Sequence, residues 1–233
     1  MLAHEQQLWA RGVRRLAGVD EAGRGPLAGP VVAAAAVFDP VFLRAEEHGL
    51  LRGLTDSKQL SAARRAAFHD LLQRLATHGA SGAAVLWLGI GLAEADEIDA
   101  VNILRATHRA MARALAQIAP PAEHALVDGL PVRGLPCPHT ALVKGDALSL
   151  SIAAASVIAK VTRDRLMLEL DRQYPAYGFA AHKGYGTAVH LAALRRHGAS
   201  PIHRRSFAPV RDEFFATENS SASAARMGTD VPA

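Results

Sequence analysis

The sequence predicts an α/β domain of three layers with a helical carboxyl-terminal portion, and three observations carry that prediction. Short apolar runs of strand length alternate with longer segments of helical periodicity. The order is a β-rich start, then alternating strands and helices, then helices alone. The 233 residues are half hydrophobic and 21% charged, enough for one substantial core and unlike a disordered chain.

The elements follow in order. Residues 1–15 read as a short helical arm. Leu16–Asp20 is a strand ending at a carboxylate. Glu21 opens a loop in which Gly23, Gly25, Pro26 and Gly29 forbid regular structure. Val31–Phe38, Ala-rich and eight residues long, is a buried strand and far too short to span a membrane. Thr55-Asp56-Ser57-Lys58 is turn-like, and Ser61 caps a helix running to about Thr77. Ala83–Gly89 is a strand. Ile98–Ile118 is one amphipathic helix, with Ile98, Val101, Leu104, Met111, Leu115 and Ile118 on one face and Pro120-Pro121 ending it. Ala125–Val127 is a strand stopped by Asp128-Gly129. Ala141–Val143 is another, broken at Lys144-Gly145-Asp146, and Asp146 is placed to cap a long helix reaching about Tyr174. Thr187–His197 is a further helix. From Thr217 the Ser/Ala-rich tail has no periodicity and is expected to be disordered. The domain reading is an arm (1–15), an α/β core (16–173), a basic helical segment of the same domain (174–216) and the tail (217–233).

Composition narrows the function. One cysteine, Cys137, can form neither an internal disulfide nor a cysteine zinc site, and no catalytic part is expected of it. No signal-peptide core is present, so the expectation is a soluble, cytoplasmic protein without a membrane partner. The formal charge of +4 is uneven. Between Lys160 and Arg211 ten Lys/Arg stand against three acids, a net +7 that leaves −3 elsewhere. A basic segment joined to an acidic one suits a polyanion-binding enzyme; a solvated helical face would look the same.

The chemistry is sought at strand ends, where loops diverge in sheets of this class. Asp20 and Glu21 close the first strand, Asp128 a later one, and Asp146 follows another. Adjacent strand residues point to opposite faces, so Asp20 and Glu21 share a site only if the strand breaks there, as Gly23 and Gly25 would allow. Four converging carboxylates would require cations or strongly raised pKa values. Oxygen ligands alone suit Mg²⁺ or Mn²⁺, and two such ions about 4 Å apart clamp the entering and leaving oxygens of a phosphodiester. Plainer roles stay open: Asp128 as a turn residue, Asp146 as a helix cap, Asp20 and Glu21 as loop acids.

Five stretches give the chain a family resemblance. They are Asp20-Glu21-Ala22-Gly23-Arg24-Gly25-Pro26-Leu27-Ala28-Gly29-Pro30, Thr55-Asp56-Ser57-Lys58 with Leu60-Ser61, Val127-Asp128-Gly129, Lys144-Gly145-Asp146 running through Ser151 to Asp164, and His182-Lys183-Gly184-Tyr185-Gly186-Thr187. In this order, over roughly residues 16–210, they resemble bacterial ribonuclease HII, a type 2 ribonuclease H. The first and fourth are the most specific.

The resemblance implies a ribonuclease H-like fold with a mixed central sheet flanked by helices. It implies cleavage of the RNA strand of RNA–DNA hybrids and nicking of duplex DNA 5′ to embedded ribonucleotides, a part in ribonucleotide excision during replication and repair. Asp20, Glu21, Asp128 and Asp146 fall on the family's catalytic, cation-holding carboxylates, with Asp20, Glu21 and Asp128 holding one Mn²⁺ or Mg²⁺ and Asp146 helping to hold a second. Gly23, Arg24 and Gly25 match a loop that reads the ribose 2′-hydroxyl, and Tyr185 a tyrosine that packs on the following sugar. Lys58 and Lys183 are expected at the phosphate backbone.

The residue types suit those roles. Telling RNA from DNA means sensing one hydroxyl, which glycines let the backbone approach. A tyrosine offers a flat apolar face, though Tyr185 also suits a packed core. Arg24 suits a phosphate or a loop salt bridge. Asp164 is expected to pair with Lys160, Arg163 or Arg165, and His203 to lie on the surface. Rival readings are a ribonuclease HIII-like enzyme, a DNA-directed nuclease of the same fold, and a non-catalytic hybrid binder. Only 19 residues precede Asp20, which favours HII over HIII. The chain is expected to act as a monomer. Phe214-Phe215 is read as packing rather than as a sliding-clamp motif.

Overall fold

A computed structural model describes residues 1–77 and 84–212. Phe214-Phe215 and the tail from Thr217 lie outside the described residues. The elements are α1 (Ala3–Ala10), β1 (Leu16–Ala22), β2 (Val31–Phe38), α2 (Pro40–Glu46), α3 (Ala62–Thr77), β3 (Leu86–Ala93), α4 (Ala95–Val101), α5 (Ile103–Ala116), β4 (His124–Asp128), β5 (His139–Leu142), α6 (Leu150–Gln173), α7 (Phe179–His182) and α8 (Ala188–His197). The chain divides into two compact units. Of the described residues, the first holds those within 1–24, 31–93 and 103–165, and the second those within 25–30, 94–102 and from 166 on.

The first unit is built on one five-stranded sheet in the order β3-β2-β1-β4-β5. The pairs β1–β2 and β2–β3 are antiparallel, while β1–β4 and β4–β5 are parallel, so the sheet is mixed. Register shows how it is covered. Gly18 pairs with Ala36 and Ala36 with Leu88, one row of side chains on one face; Val19, Ala35 and Gly89 form the next row on the other. A Cβ on Gly18 would lie 2.0 Å from the Ser151 backbone, and one on Gly89 would lie 2.0 Å from the Ala114 carbonyl. The start of α6 therefore rests on one face and α5 on the other, each with backbone nearly touching the sheet. Ala33–Ala36, all fully buried between them, leave room for that approach.

The α6 face carries the largest core, where Ala34, Ala36, Phe38 and Leu86 meet Phe68, Leu72, Leu75, Ala153, Val157 and Ile158. The amino-terminal arm is tied to this unit. Leu2, Glu5 and Leu8 are buried, and Glu5 Oε1 accepts from the Ser149 hydroxyl at 2.6 Å and the Ser151 N–H at 3.2 Å. The second unit packs Ala28, Met167, Tyr177 and Phe179 in one cluster and Leu27, Leu194 and Val210 in another.

Several expectations are corrected. The single helix over 98–118 is two, interrupted at Asn102 with φ 68°. The apolar pattern slips where it skipped a step: Leu104 is exposed, whereas Ile98, Met111 and Leu115 are buried. Asp146 does not cap α6. It sits in a short 3₁₀ turn, Gly145–Ala147, and the α6 amino terminus is met by the Ser149 hydroxyl and Glu5. The first strand continues through Glu21 to Ala22, past the expected stop at Asp20. The third strand is Leu86–Ala93, displaced toward the carboxyl end. The helix α2, started by Asp39 accepting from the Val41 and Phe42 N–H groups, went unread because it is one short turn pair after a strand.

Candidate active site

Parallel pairing brings the first two acids together. Val19 pairs with Val127, so Asp20 and Asp128, each one residue further, stand side by side where β4 ends and β1 runs on. Asp128 Oδ1 accepts from the Gly145 N–H at 2.7 Å, which draws in the turn that carries Asp146. That turn needs Lys144 in a left-handed conformation, φ 58°, and Gly145 without a side chain, since a Cβ there would lie 2.6 Å from Ile152. One carboxylate oxygen from each of Asp20, Asp128 and Asp146 falls within 4.8 Å of the others. Asp20 and Asp146 are buried and Asp128 half-buried.

Glu21 lies outside that trio. Because β1 stays regular through Ala22, Glu21 points to the α5 face while Asp20, in the row of Ala34, points to the α6 face. The expected strand break does not occur. Glu21 instead lines a cleft of about 750 Å³ with Arg24, Arg105, His108, Arg109, Asp128 and Arg133. Asp128 belongs to both the trio and the cleft, and it links the two faces. Arg24 Nη1 contacts Glu21 at 3.3 Å, the loop salt bridge of the two roles open to it.

The electrostatics are those of crowded acids. Burial, then the charges of Glu21 and Asp128, push the Asp20 carboxyl well above its usual range, against hydrogen bonds from Ser156 and the Glu21 N–H. Burial raises Glu21 as well, with Arg24 opposing and Asp128 reinforcing. Burial, Asp128 and Asp56 raise Asp146 to about 6, with Lys58 opposing. Such a nest holds protons tightly unless a cation replaces them. Its donors are all oxygen, which fits a hard divalent ion and not zinc.

Three supporting groups escaped the sequence reading. Asp56 stands close enough to Asp146 to raise its carboxyl, and its motif was read only for Lys58. Ser156 stands beside Asp20 and holds its carboxyl down against burial, and its Oγ lies 2.9 Å from the Ser57 hydroxyl. Nothing in an Ala-rich helix marks one serine among several. Arg163 is buried beneath Gly23, where a Cβ would meet its Nε at 2.0 Å, and Gly23 has φ 94°. Gly23 is thus required by the fold itself.

Of the other expected residues, Lys58 stands near enough to oppose the shifts of Glu21 and Asp146. Gly25, Lys183 and Tyr185 belong to the second unit. Tyr185 is exposed rather than packed in the core, and a Cβ on Gly25 would meet only its ring edge, at 3.9 Å. Lys183 donates to the Ala180 carbonyl. Asp164 pairs with Lys160 at 2.7 Å. His203 is fully buried, which overturns its placement on the surface. Cys137 is half-buried, and burial pushes its thiol up, away from a reactive thiolate.

An α/β sandwich with oxygen-only carboxylates at adjacent strand ends is the arrangement of a metal-dependent hydrolase. The family model described as Ribonuclease HII matches residues 17–210. Ribonuclease HII of Geobacillus kaustophilus is 52% identical over 218 residues, 94% of this chain and 77% of that protein. Ribonuclease HII of Syntrophotalea carbinolica is 53% identical over 211 residues, 91% and 93% of the two chains. The solved ribonuclease H2 from Pyrococcus horikoshii OT3 matches with a TM-score of 0.69 at 26% identity, over 88% of this chain and 99% of that one. The chain belongs to the ribonuclease HII family, and with it to the metal-dependent endoribonucleases. Its mixed sheet between helical layers, with a helical carboxyl-terminal part, is the fold expected from the sequence.

Proposed function

We propose that the chain cleaves the RNA strand of RNA–DNA hybrids and nicks duplex DNA on the 5′ side of embedded ribonucleotides, by hydrolysis assisted by two divalent cations. The observation that carries this is the meeting of Asp20, Asp128 and Asp146 within 4.8 Å, where burial and neighbouring acids raise the Asp20 and Asp146 carboxyls. Mg²⁺ or Mn²⁺ bound there supplies charge neutralisation and lowers the pKa of an attacking water. Asp20, Glu21 and Asp128 would hold one ion, and Asp146 would help hold the second. Ser156 and the Gly145 N–H orient Asp20 and Asp128, while Asp56 and Lys58 tune Asp146.

In this reading the backbone at Gly23, Arg24 and Gly25 senses the 2′-hydroxyl, and Tyr185 packs on the next sugar. Lys58 and Lys183 contact phosphates, and the exposed Arg105, Arg109 and Arg133 of the cleft follow the strand. No helix among the described residues is long and apolar enough to cross a membrane. We place the enzyme in the cytoplasm, in ribonucleotide excision, acting as a monomer. The test is a DNA duplex carrying one ribonucleotide, incubated with Mg²⁺ or Mn²⁺ beside an all-DNA duplex. A nick 5′ to the ribonucleotide and an intact control are expected. No nick would overturn the reading, and cutting of both duplexes would favour a DNA-directed nuclease.

A further inference from the structure

Three histidines of the second unit form a cluster that hydrolysis does not use. His190 and His203 are buried, with their Nε2 atoms 3.0 Å apart, and His182 stacks on His190 with ring centroids 4.6 Å apart. Phe179 meets His190 and His182 edge-on, and Tyr177 and Phe179 flank His203.

The backbone fixes where each proton lies. The Ser200 N–H points at His203 Nδ1 at 3.0 Å, so that nitrogen is an acceptor and the ring proton sits on Nε2. His203 Nε2–H then donates to His190 Nε2, which leaves the His190 proton on Nδ1. His190 Nδ1–H in turn donates to the Tyr185 carbonyl at 2.9 Å. The same carbonyl accepts from the Thr187 N–H at 2.8 Å, which fills both lone pairs. The turn in front is set likewise: Gly184 N–H donates to His182 Nδ1, and Lys183 and Gly184 are both left-handed, with φ 52° and 83°. The Ser200 hydroxyl lies 2.8 Å from the same His203 Nδ1 and can add a second donor there.

We propose that His203 and His190 are positioning residues for substrate binding: their one-way relay from the Ser200 backbone to the Tyr185 carbonyl fixes the turn that presents Tyr185 to the nucleic acid. The inference rests on the reading of Tyr185 as a substrate contact. The relay works only with both imidazoles neutral: a second proton on His190 would set its Nε2–H against the His203 Nε2–H, and one on His203 would set its Nδ1–H against the Ser200 N–H. The surroundings agree. Burial, then the neighbouring His190, lowers His203 to about 4, and burial lowers His190. The groups facing the pair are His182, Tyr177, Phe179 and Ser200, with His197 edge-on to Tyr177; the adjacent Arg204 is turned to the Gly29 carbonyl. None of these is an acid that would favour an imidazolium.

Two measurements on the full chain with Mg²⁺ test this. Long-range ¹H–¹⁵N spectra should show His203 protonated on Nε2 and His190 on Nδ1, with neither titrating between pH 5.5 and 8. Reversed tautomers, or a midpoint near 6.5 for either ring, would overturn the relay. In cleavage of a duplex with one ribonucleotide, His190→Ala should raise KM about 3–10-fold, the worth of one buried hydrogen bond, with kcat within about twofold. His190→Asn keeps an amide donor toward Tyr185 and should recover most of the loss. Equal KM for His190→Ala and wild type, or no recovery by His190→Asn, would defeat the proposal. Tyr185→Ala separates the two readings: an unchanged KM there removes the Tyr185 contact itself, whereas a raised KM with a silent His190→Ala removes only the relay.

Discussion

Asp128 is the residue on which both halves of the site depend. It lies in the aspartate trio, lines the cleft beside Glu21, and fastens the Asp146 turn through Gly145. Asp128→Asn keeps the size and the hydrogen-bond acceptor but removes the charge a cation needs. Partners one shell further out commonly cost 10–100-fold, so this change should cost about 10²-fold or more in cleavage rate, with hybrid binding nearly kept. Unchanged cutting would sink the assignment. Asp146 gives a second prediction, of opposite sign for stability. Its carboxyl is raised to about 6, so the folded chain binds a proton there more readily than the unfolded chain does. Stability from this group is present below the unfolded value near 4 and is lost as pH rises through 6. At pH 7 the cation-free protein carries that cost, and Asp146→Asn should stabilise it by roughly 1–2 kcal/mol. Divalent-ion affinity should fall in the variant. Thermal melts with EDTA and with Mn²⁺, compared at pH 5 and 7, read both effects.

Elements reach the site by close contact with the sheet. Gly18 sits where the Ser151 backbone would lie 2.0 Å from any Cβ, and this contact seats the start of α6 beside Asp20. Backbone cannot rotate away as a side chain can, so Gly18→Ala should destabilise by about 3 kcal/mol, at the upper end for overpacking. Gly25 has ordinary φ and a nearest neighbour at 3.9 Å, so Gly25→Ala should change stability by less than about 0.5 kcal/mol while impairing discrimination of the ribonucleotide. Urea unfolding of the two variants checks the contrast, and an unstable Gly25→Ala would contradict it. The same contacts explain what the sequence made legible. Strand β2 was read to the residue because an apolar run fully buried on both faces needs no context. Asp20, Asp128 and Asp146, which the fold brings within 4.8 Å, were legible because each stands at or close to the carboxyl end of a strand. The parting of Asp20 from Glu21 was visible as a period-two conflict, and only the register of β1 against β2 resolves it. The break at Asn102 was hidden because α4 and α5 serve different units, and a hydrophobic pattern records burial without saying against what. Ser156, Asp56 and Arg163 reach the site across the fold, and no local signal marks them.

At the scale of the whole molecule the +4 charge is a difference between regions, and burial decides how much of it can act. Between Lys160 and Arg211 the net charge is +7, yet Arg163 and Arg204 in that stretch are fully buried. Arg204 donates through Nε and Nη2 to the Gly29 carbonyl, and Lys160 is paired with Asp164. These cations hold the protein together and have no counterions to exchange with a duplex. The cleft arginines, outside that stretch, are exposed and stand beside Glu21 and Asp128. Formal charge therefore misplaces part of the binding surface. Each phosphate neutralised on B-form DNA contributes about −0.9 to the slope of log K against log salt. Arg133→Gln should make the slope shallower by about 0.9 and weaken binding alike for all sequences. Arg204→Gln should leave the slope unchanged in whatever fraction folds, and lower the unfolding temperature instead. Equilibrium binding to a ribonucleotide-bearing duplex in Ca²⁺, over 50–300 mM salt, measures the slopes. An unchanged slope for Arg133→Gln would remove the cleft from the binding surface, and a shallower one for Arg204→Gln would show that burial is a poor guide to which charges meet the duplex.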